Sequence, residues 1–361
     1  MHPSSPSCLF ISNASLAPFF SSLSCSAPAR CCRRLSMACS VRIAVVGDVH
    51  DHWDLEEDSK ALDCLQPDLV LFTGDYGNEN VELVRSISNL NMTKAAILGN
   101  HDCWNTHRFK KNNDCVQRQL DCLGEQHVGY TRLDFPMLQI SVVGGRPFSC
   151  GGNRLFREML LSARYGVSDM AGSAKKIYEA AQGTPENHSI VFLAHNGPSG
   201  LGSNINDICG RDWDFKGGDH GDPDLEQAIK QLKQDTKLQI PLVVFGHMHK
   251  QLAYRIGLRK MIVVGDDNTI YLNGAIVPRV KSMSLGETSS RGFMEEESAS
   301  GSNRSNTTLR AFTVIEMMGG RLGKIAETWV AVSGEDVRVE EEHLLFQKSD
   351  ELSCCDESAV I

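Results

Sequence analysis

The chain has 361 residues, 41% of them hydrophobic and 22% charged, with 36 Lys and Arg against 45 Asp and Glu and a formal net charge of −9. This is an ordinary globular balance, long enough for one large domain or two of usual size, and no apolar stretch approaches the ~20 residues of a membrane-spanning helix. The acidic excess gives no general attraction to nucleic-acid phosphates or anionic lipid, so neither nucleic acid nor a membrane is an expected partner.

The first forty residues differ from the rest. They hold no Asp or Glu, many serines, and Arg30, Arg33 and Arg34. A secretory signal places its positive charge before one apolar core, whereas here the arginines come last and serines interrupt the apolar residues. Residues 1–40 read as an organelle transit peptide, chloroplast in kind because Ser and Ala dominate, with cleavage near Met37–Ser40 and delivery to the stroma. The remainder then carries 33 basic residues against 45 acidic ones. Of thirteen cysteines, Cys8, Cys25, Cys31, Cys32 and Cys39 fall in this segment, and the other eight are scattered without a CxxC pair, as free thiols in a reducing compartment would be.

From Val41 onward short apolar runs alternate with helical stretches. RIAVVG (42–47), DLVLFTG (68–74), KAAILG (94–99), LQISVVGG (138–145), SIVFLAH (189–195) and PLVVFGH (241–247) are Val/Ile/Leu-rich and end at Gly or a polar cluster, which predicts buried strands. Residues 55–65, 79–90 and 223–234 have helical spacing, with Pro223 suited to a first turn. The alternation predicts an α/β layered fold. Beyond residue 250 the segments LAYRIG, KMIVVG, TIYLNGAIVPRV, LRAFTVIEM and GKIAETWVAV read as strands and hairpins closing a sheet. Residues 281–308, rich in Ser, Gly and Glu, read as a disordered insertion in a domain spanning 41–335, and residues 336–361 as an acidic, frayed C-terminal tail.

The strand ends carry the chemistry. The first runs into GDVH, giving Asp48 and His50; the second ends in Gly-Asp at Asp75; the third in GNHD, giving Asn100, His101 and Asp102. The run 189–194 ends in His195, and 241–246 in His247 and His249. Singly, each is as well explained by a turn, a cap or a satisfied core histidine. Together, five loops at carboxyl ends of strands, where α/β sheets place their sites, each offer an oxygen or nitrogen donor.

This ordered set, Asp-x-His, Gly-Asp, Gly-Asn-His-Asp, a lone His and Gly-His-x-His, resembles the signature of the calcineurin-like metallophosphoesterases over residues 42–280. The resemblance implies two packed mixed β-sheets flanked by helices, with a two-metal centre at the strand ends. It places Asp48, His50, Asp75 and His249 on one ion and Asp75, Asn100, His195 and His247 on the other, with Asp75 bridging. Carboxylate, amide and imidazole ligands without thiolate suit Mn, Fe or Zn. Two such ions about 3.5–4 Å apart need a shared anion and would acidify a bridging water for in-line attack on phosphorus. His101 is then the group that serves the leaving oxygen, with Asp102 orienting its imidazole.

Protein phosphatases of this superfamily follow Gly-Asp with an Asp-Arg-Gly whose arginine grips phosphate, whereas GDYGNE offers Tyr76, Asn78 and Glu79. The chain looks more like the small bacterial and cyclic-nucleotide-phosphodiesterase-like branch, particularly proteins shared by cyanobacteria and plants. The expected substrate is therefore a small phosphate monoester or diester. A protein phosphatase and a catalytically weak scaffold of the same fold are the alternatives; scaffolds typically lose the ligands or the histidine retained here. Arg146 in GGRPFS is a candidate phosphate contact. His52 and Trp53 lie on a loop that would either line the mouth or face solvent. Residues 211–224 form a Gly/Asp-rich loop before the last helix, with Arg211, Lys216 and His220 able to meet a substrate anion.

Overall fold

The structure is a computed structural model and describes residues 40–107, 114–283 and 307–348. Residues 1–39 of the expected transit peptide, residues 284–306 of the expected insertion and residues 349–361 of the tail lie outside the described residues. In chain order the first half comprises β1 (Ser40–Val46), α1 (Leu55–Leu65), β2 (Leu69–Phe72), α2 (Val81–Ser88), β3 (Lys94–Ala96), α3 (Cys115–Leu123), β4 (Arg132–Phe135) and β5 (Ile140–Gly144). There follow α4 (Glu158–Tyr165), α5 (Met170–Ala181), β6 (Ser189–Leu193), α6 (Pro223–Asp235), β7 (Gln239–Phe245), β8 (Ile262–Val264) and β9 (Ile270–Asn273). β10 (Val280–Met283), β11 (Thr307–Met318), β12 (Arg321–Ser333) and β13 (Asp336–Gln347) close the list.

These strands build two mixed sheets. One runs β13-β12-β11-β1-β2-β3, with β10 paired on β11, and the other runs β4-β5-β6-β7-β9-β8. The sheets pack face to face through alternate residues: Val41, Ile43, Val45, Leu69 and Leu71 of the first meet Val142, Val191, Leu193, Leu242, Val244 and Leu272 of the second. The intervening residues point outward under helices. Ala44, Val46, Val70 and Phe72 share a core with Ala61 and Leu62 of α1 and Val84 and Ile87 of α2. Ile190, Phe192, Val243 and Phe245 do so with Ile177 of α5 and Leu225, Ala228 and Leu232 of α6. Both faces are covered, which is why these strands are continuous apolar runs and not alternating ones. Each Val, Leu, Ile or Phe among them contributes roughly 1.5–3 kcal/mol by leaving water. The helices start where the caps allow: the Asp54 side chain accepts from Glu57 N–H at α1, and Pro223 opens α6.

Three expectations are corrected. LAYRIG is not a strand: Ala253–Arg255 form a single tight turn, with Tyr254 and Arg255 left-handed. The insertion is paired at both ends, since residues 280–283 of β10 bond to residues 307–310 of β11. The tail is not frayed over its first part. Residues 336–347 form β13 along residues 324–333 of β12, and Phe346 and Leu345 pack against the core. Its charges had masked it: an edge strand with one open face carries Glu and Arg without penalty, and these discourage edge-to-edge pairing.

Candidate metal centre

The carboxyl ends of β1, β2, β3, β6 and β7 all reach one end of the molecule. After β1 the chain turns through His50 and Asp51 at φ 43° and 63°; after β2 through Asp75 at φ 51°; after β7 through His247 at φ 64°. Left-handed backbone at non-glycine residues costs of order 1–3 kcal/mol each and persists where surroundings over-determine it, typically at functional sites. Two glycines admit the crowding. A Cβ on Gly99 would stand 2.3 Å from Asp75 Oδ1 and 2.5 Å from His195 Cε1, and one on Gly246 would stand 2.1 Å from Asp48 Oδ1.

The donors converge as two groups joined by a third. Asp48, His50 and His249 bring one ligand atom each within 4.8 Å of one another, as do Asp75, His195 and His247, and also His50, Asp75 and His101. His50 Nε2 and His249 Nε2 are 3.0 Å apart, and His249 Nε2 is 3.5 Å from Asp48 Oδ2. On the other side His195 Nε2 lies 3.4 Å from Asp75 Oδ1 and 3.0 Å from Asn100 Oδ1. Asp75 reaches both groups, with Oδ2 at 3.9 Å from His50 Nε2.

This set fits cations. Asp48 Oδ2 is buried with no hydrogen-bond partner, whereas Oδ1 accepts the His247 N–H at 3.0 Å. A buried carboxylate oxygen left unpaired is costly unless a positive charge meets it. His195 Nδ1–H donates to the Thr73 carbonyl at 2.7 Å, which leaves Nε2 as the nitrogen that faces Asp75 and Asn100. Burial alone would lower His195, but the Asp75 carboxylate beside it raises it to about 10. Burial, then the His195 charge, lowers His247 to about 3, so that imidazole is neutral as a ligand must be. Burial would raise the Asp75 carboxyl, yet the charge and hydrogen bond of His195 hold it well below the ordinary range. Carboxylate and imidazole donors without a thiolate suit borderline transition metals.

A family model described as calcineurin-like phosphoesterase matches residues 41–251, a span that contains all of these donors. The chain belongs to that family. Among solved structures, it is similar to a dimetal phosphatase from Danio rerio at 8% identity, covering 85% of this chain and 99% of that one, with a TM-score of 0.37. It is also similar to a conserved uncharacterised protein, a predicted phosphoesterase, from Streptococcus pneumoniae TIGR4 at 11% identity, covering 85% and 98%, with a TM-score of 0.30. Among curated proteins no relative matches the sequence.

Within this calcineurin-like phosphoesterase the structure brings Asp48, His50, Asp75, Asn100, His101, His195, His247 and His249 together and redistributes other expected roles. Asp102 does not touch the His101 ring. Its carboxylate accepts the backbone N–H groups of Gly99, Asp75 and Tyr76 at 2.7, 3.0 and 3.0 Å, stitching the second and third loops together. Burial, reinforced by the Asp75 charge, raises that carboxyl well above the usual range. The His101 ring is instead oriented by Asn78, whose Oδ1 accepts from Nδ1 at 2.7 Å, and by Trp104, stacked on it at 4.7 Å and 12°. The sequence signal for Asn78 was a polar amide three residues after Asp75.

Arg146 is not a phosphate contact. It is 1% exposed, Nη2 and Nε donate to Asp222 Oδ1 and Asp224 Oδ2 at 2.7 and 2.9 Å, and Nη1 is enclosed without a partner, so no edge of the fork faces the site. Trp53 is turned inward, packed on Phe72 with its indole N–H on Ser86 Oγ at 3.2 Å. His52 is exposed, with Nδ1–H turned back to its own loop at the His50 carbonyl, 2.8 Å away. His220 does reach the site, lying over His247 with centroids 6.2 Å apart. Its Nε2–H donates to the Cys150 carbonyl at 2.7 Å and burial lowers its pKa, so near neutrality Nδ1 offers a lone pair and not a donor for phosphate.

Proposed function

We propose that the protein is a metal-dependent phosphoesterase that hydrolyses small phosphate monoesters or diesters with two Mn, Fe or Zn ions, in the chloroplast stroma. The observation that carries this reading is the meeting of Asp48, His50 and His249 with Asp75, His195 and His247 across one shared carboxylate, Asp75. The transit-like composition of residues 1–40 supports the location.

The residues divide the work. Asp48 and Asp75 would hold the ions, with the His50, His195, His247 and His249 nitrogens and the Asn100 amide oxygen completing each set. When bound, such a pair supplies an acidified water as nucleophile and positive charge against the phosphoryl oxygens. His101, half-buried beside His50 with ring centroids 5.0 Å apart, would give the leaving oxygen its proton. With Nδ1–H held by Asn78 Oδ1, Nε2 is the nitrogen that gives or takes that proton. Asp102 keeps the Asp75 and His101 loops in register. Nucleic acid is a poor substrate on this reading, because 45 acidic residues outnumber 36 basic ones.

The test is hydrolysis of bis-p-nitrophenyl phosphate and p-nitrophenyl phosphate by the full chain loaded with each metal in turn. Activity should vanish with a chelator and return with metal. Absence of hydrolysis with every metal, in protein shown to bind metal, would favour a scaffold.

A further inference from the structure

The rim beside His247 exposes more aromatic surface than a solvated loop requires. Trp213 and Phe215, on the loop before α6, are 48% and 85% exposed, and Tyr254, in the turn after β7, is 72% exposed. Trp213 meets His220 at 4.8 Å and 86°, and His220 in turn lies nearly parallel to His247. Phe215 and Tyr254 stack on each other at 6.2 Å and 14°. Large rings clustered in water at one place mark a binding surface.

This rim is held in place from below. The buried guanidinium of Arg259 donates through Nε to the His249 carbonyl at 3.0 Å and through Nη1 to the Asp207 and Gly210 carbonyls at 2.8 and 2.7 Å. Its Nη2 pairs with Asp212 Oδ2 at 3.1 Å, and the same oxygen accepts the Ala253 N–H at 2.7 Å. One arginine therefore ties the metal-ligand loop, the Trp213 loop and the Tyr254 turn into a unit. Tyr254 and Arg255 have φ 58° and 55°, a strained backbone that holds the tyrosine outward. Rings fixed in advance lose little freedom when a flat partner lands on them.

We propose that the ester cleaved here carries a flat aromatic ring, of nucleobase or aryl kind, that stacks on Trp213 and the Phe215–Tyr254 pair while its phosphate lies over the Asp75 cluster. The placement of the phosphate rests on the phosphoesterase reading; the stacking surface does not. His220 sets the spacing: its ring stands between Trp213 and His247 and separates the stacking rim from the donors. The acidic balance of the chain favours a single small ester over a polymer of them.

The experiment is calorimetric titration of the full, metal-loaded chain carrying His101→Ala, to slow turnover, with adenosine monophosphate, phenyl phosphate and glycerol phosphate. The ring-bearing ligands should bind at least about ten-fold tighter than glycerol phosphate. Adding Trp213→Ala should weaken the ring-bearing ligands by about 5- to 150-fold, the range for one stacked base, and leave glycerol phosphate unmoved. Trp213→Phe should restore most of the loss. Adenosine tighter than phenyl assigns a nucleobase, and equal affinity a simple aryl group. Equal affinity for all three ligands, or an equal loss of all three in Trp213→Ala, overturns the proposal. Ring- and Trp213-dependent binding by a wild-type chain that hydrolyses no ester would uphold the stacking surface and overturn the phosphoesterase reading alone.

Discussion

Replacing Arg146 by methionine separates a structural role from a substrate role in one step. The guanidinium is enclosed, with side-chain exposures of 0% for Arg146 and 1% and 0% for Asp222 and Asp224. Asp222 is further bonded by Ser149 at 2.6 Å, and Asp224 by Ser173, so both carboxylates are fixed where they stand. Removing the arginine leaves two buried carboxylates facing each other without a cation. Breaking one buried pair costs about 3–5 kcal/mol, and here one side chain serves two, so the upper half of that range applies. At about 2–4 °C per kcal/mol for a domain of this size, Tm should fall by roughly 8–20 °C in calorimetry. The triple variant R146M/D222N/D224N should recover much of the loss, because it removes the stranded charges. KM of whatever molecules remain folded should hardly change. An unchanged Tm together with a ten-fold higher KM would refute this reasoning and return Arg146 to the substrate.

His101→Ala should keep its metal while kcat falls by about 10²–10⁴, more for alkyl than for nitrophenyl leaving groups; an equal fall on both would remove His101 from the leaving-group role. Asn78→Ala deletes the partner of His101 Nδ1, a bond worth about 1.5–3 kcal/mol when the imidazole is charged, so kcat should drop roughly 10- to 150-fold with metal content and KM retained. Asp102→Asn should leave the pH–rate profile in place and lower Tm, whereas a profile shifted like that of Asn78→Ala would restore Asp102 as the orienting group. Burial lowers His127 to about 4, below its unfolded value near 6.5. The unfolded chain thus takes up the proton first, and His127 contributes stability fully present above pH 6.5 and lost as pH falls towards 4. The loss is about 3 kcal/mol, and denaturant titrations of His127→Gln should lack that part of the slope.

Strands β1, β2, β5, β6 and β7 were legible because burial on both faces writes itself as an unbroken apolar run ending at glycine or, in β6, at His195. So were the donors at their ends, since each sits within three residues of a glycine. β13 was not legible, because an edge strand with one wet face is allowed the composition of a loop. Tyr254 was read as part of a strand from its apolar neighbours, although its backbone is held left-handed by the turn around Arg259. Arg146 stood at a strand end next to two glycines, as a substrate arginine would; its partners Asp222 and Asp224 lie 76 and 78 residues away, and nothing local announces them. Asn78 holds the place expected of Asp102 for a similar reason. Adjacency to His101 suggested Asp102, but the short helical turn His101–Cys103 carries its carboxylate back under Gly99 and Asp75, and the loop after β2 brings Asn78 round to the ring.

The shared carboxylate is the centre of this account, and metal content by plasma mass spectrometry of the wild-type chain and of Asp75→Ala, both reconstituted with manganese, iron or zinc and desalted, tests it most directly. The wild type should hold about two ions per chain, and Asp75→Ala should fall well below one, since one oxygen pair serves both groups of nitrogen donors. Two ions retained per chain of folded Asp75→Ala would contradict it.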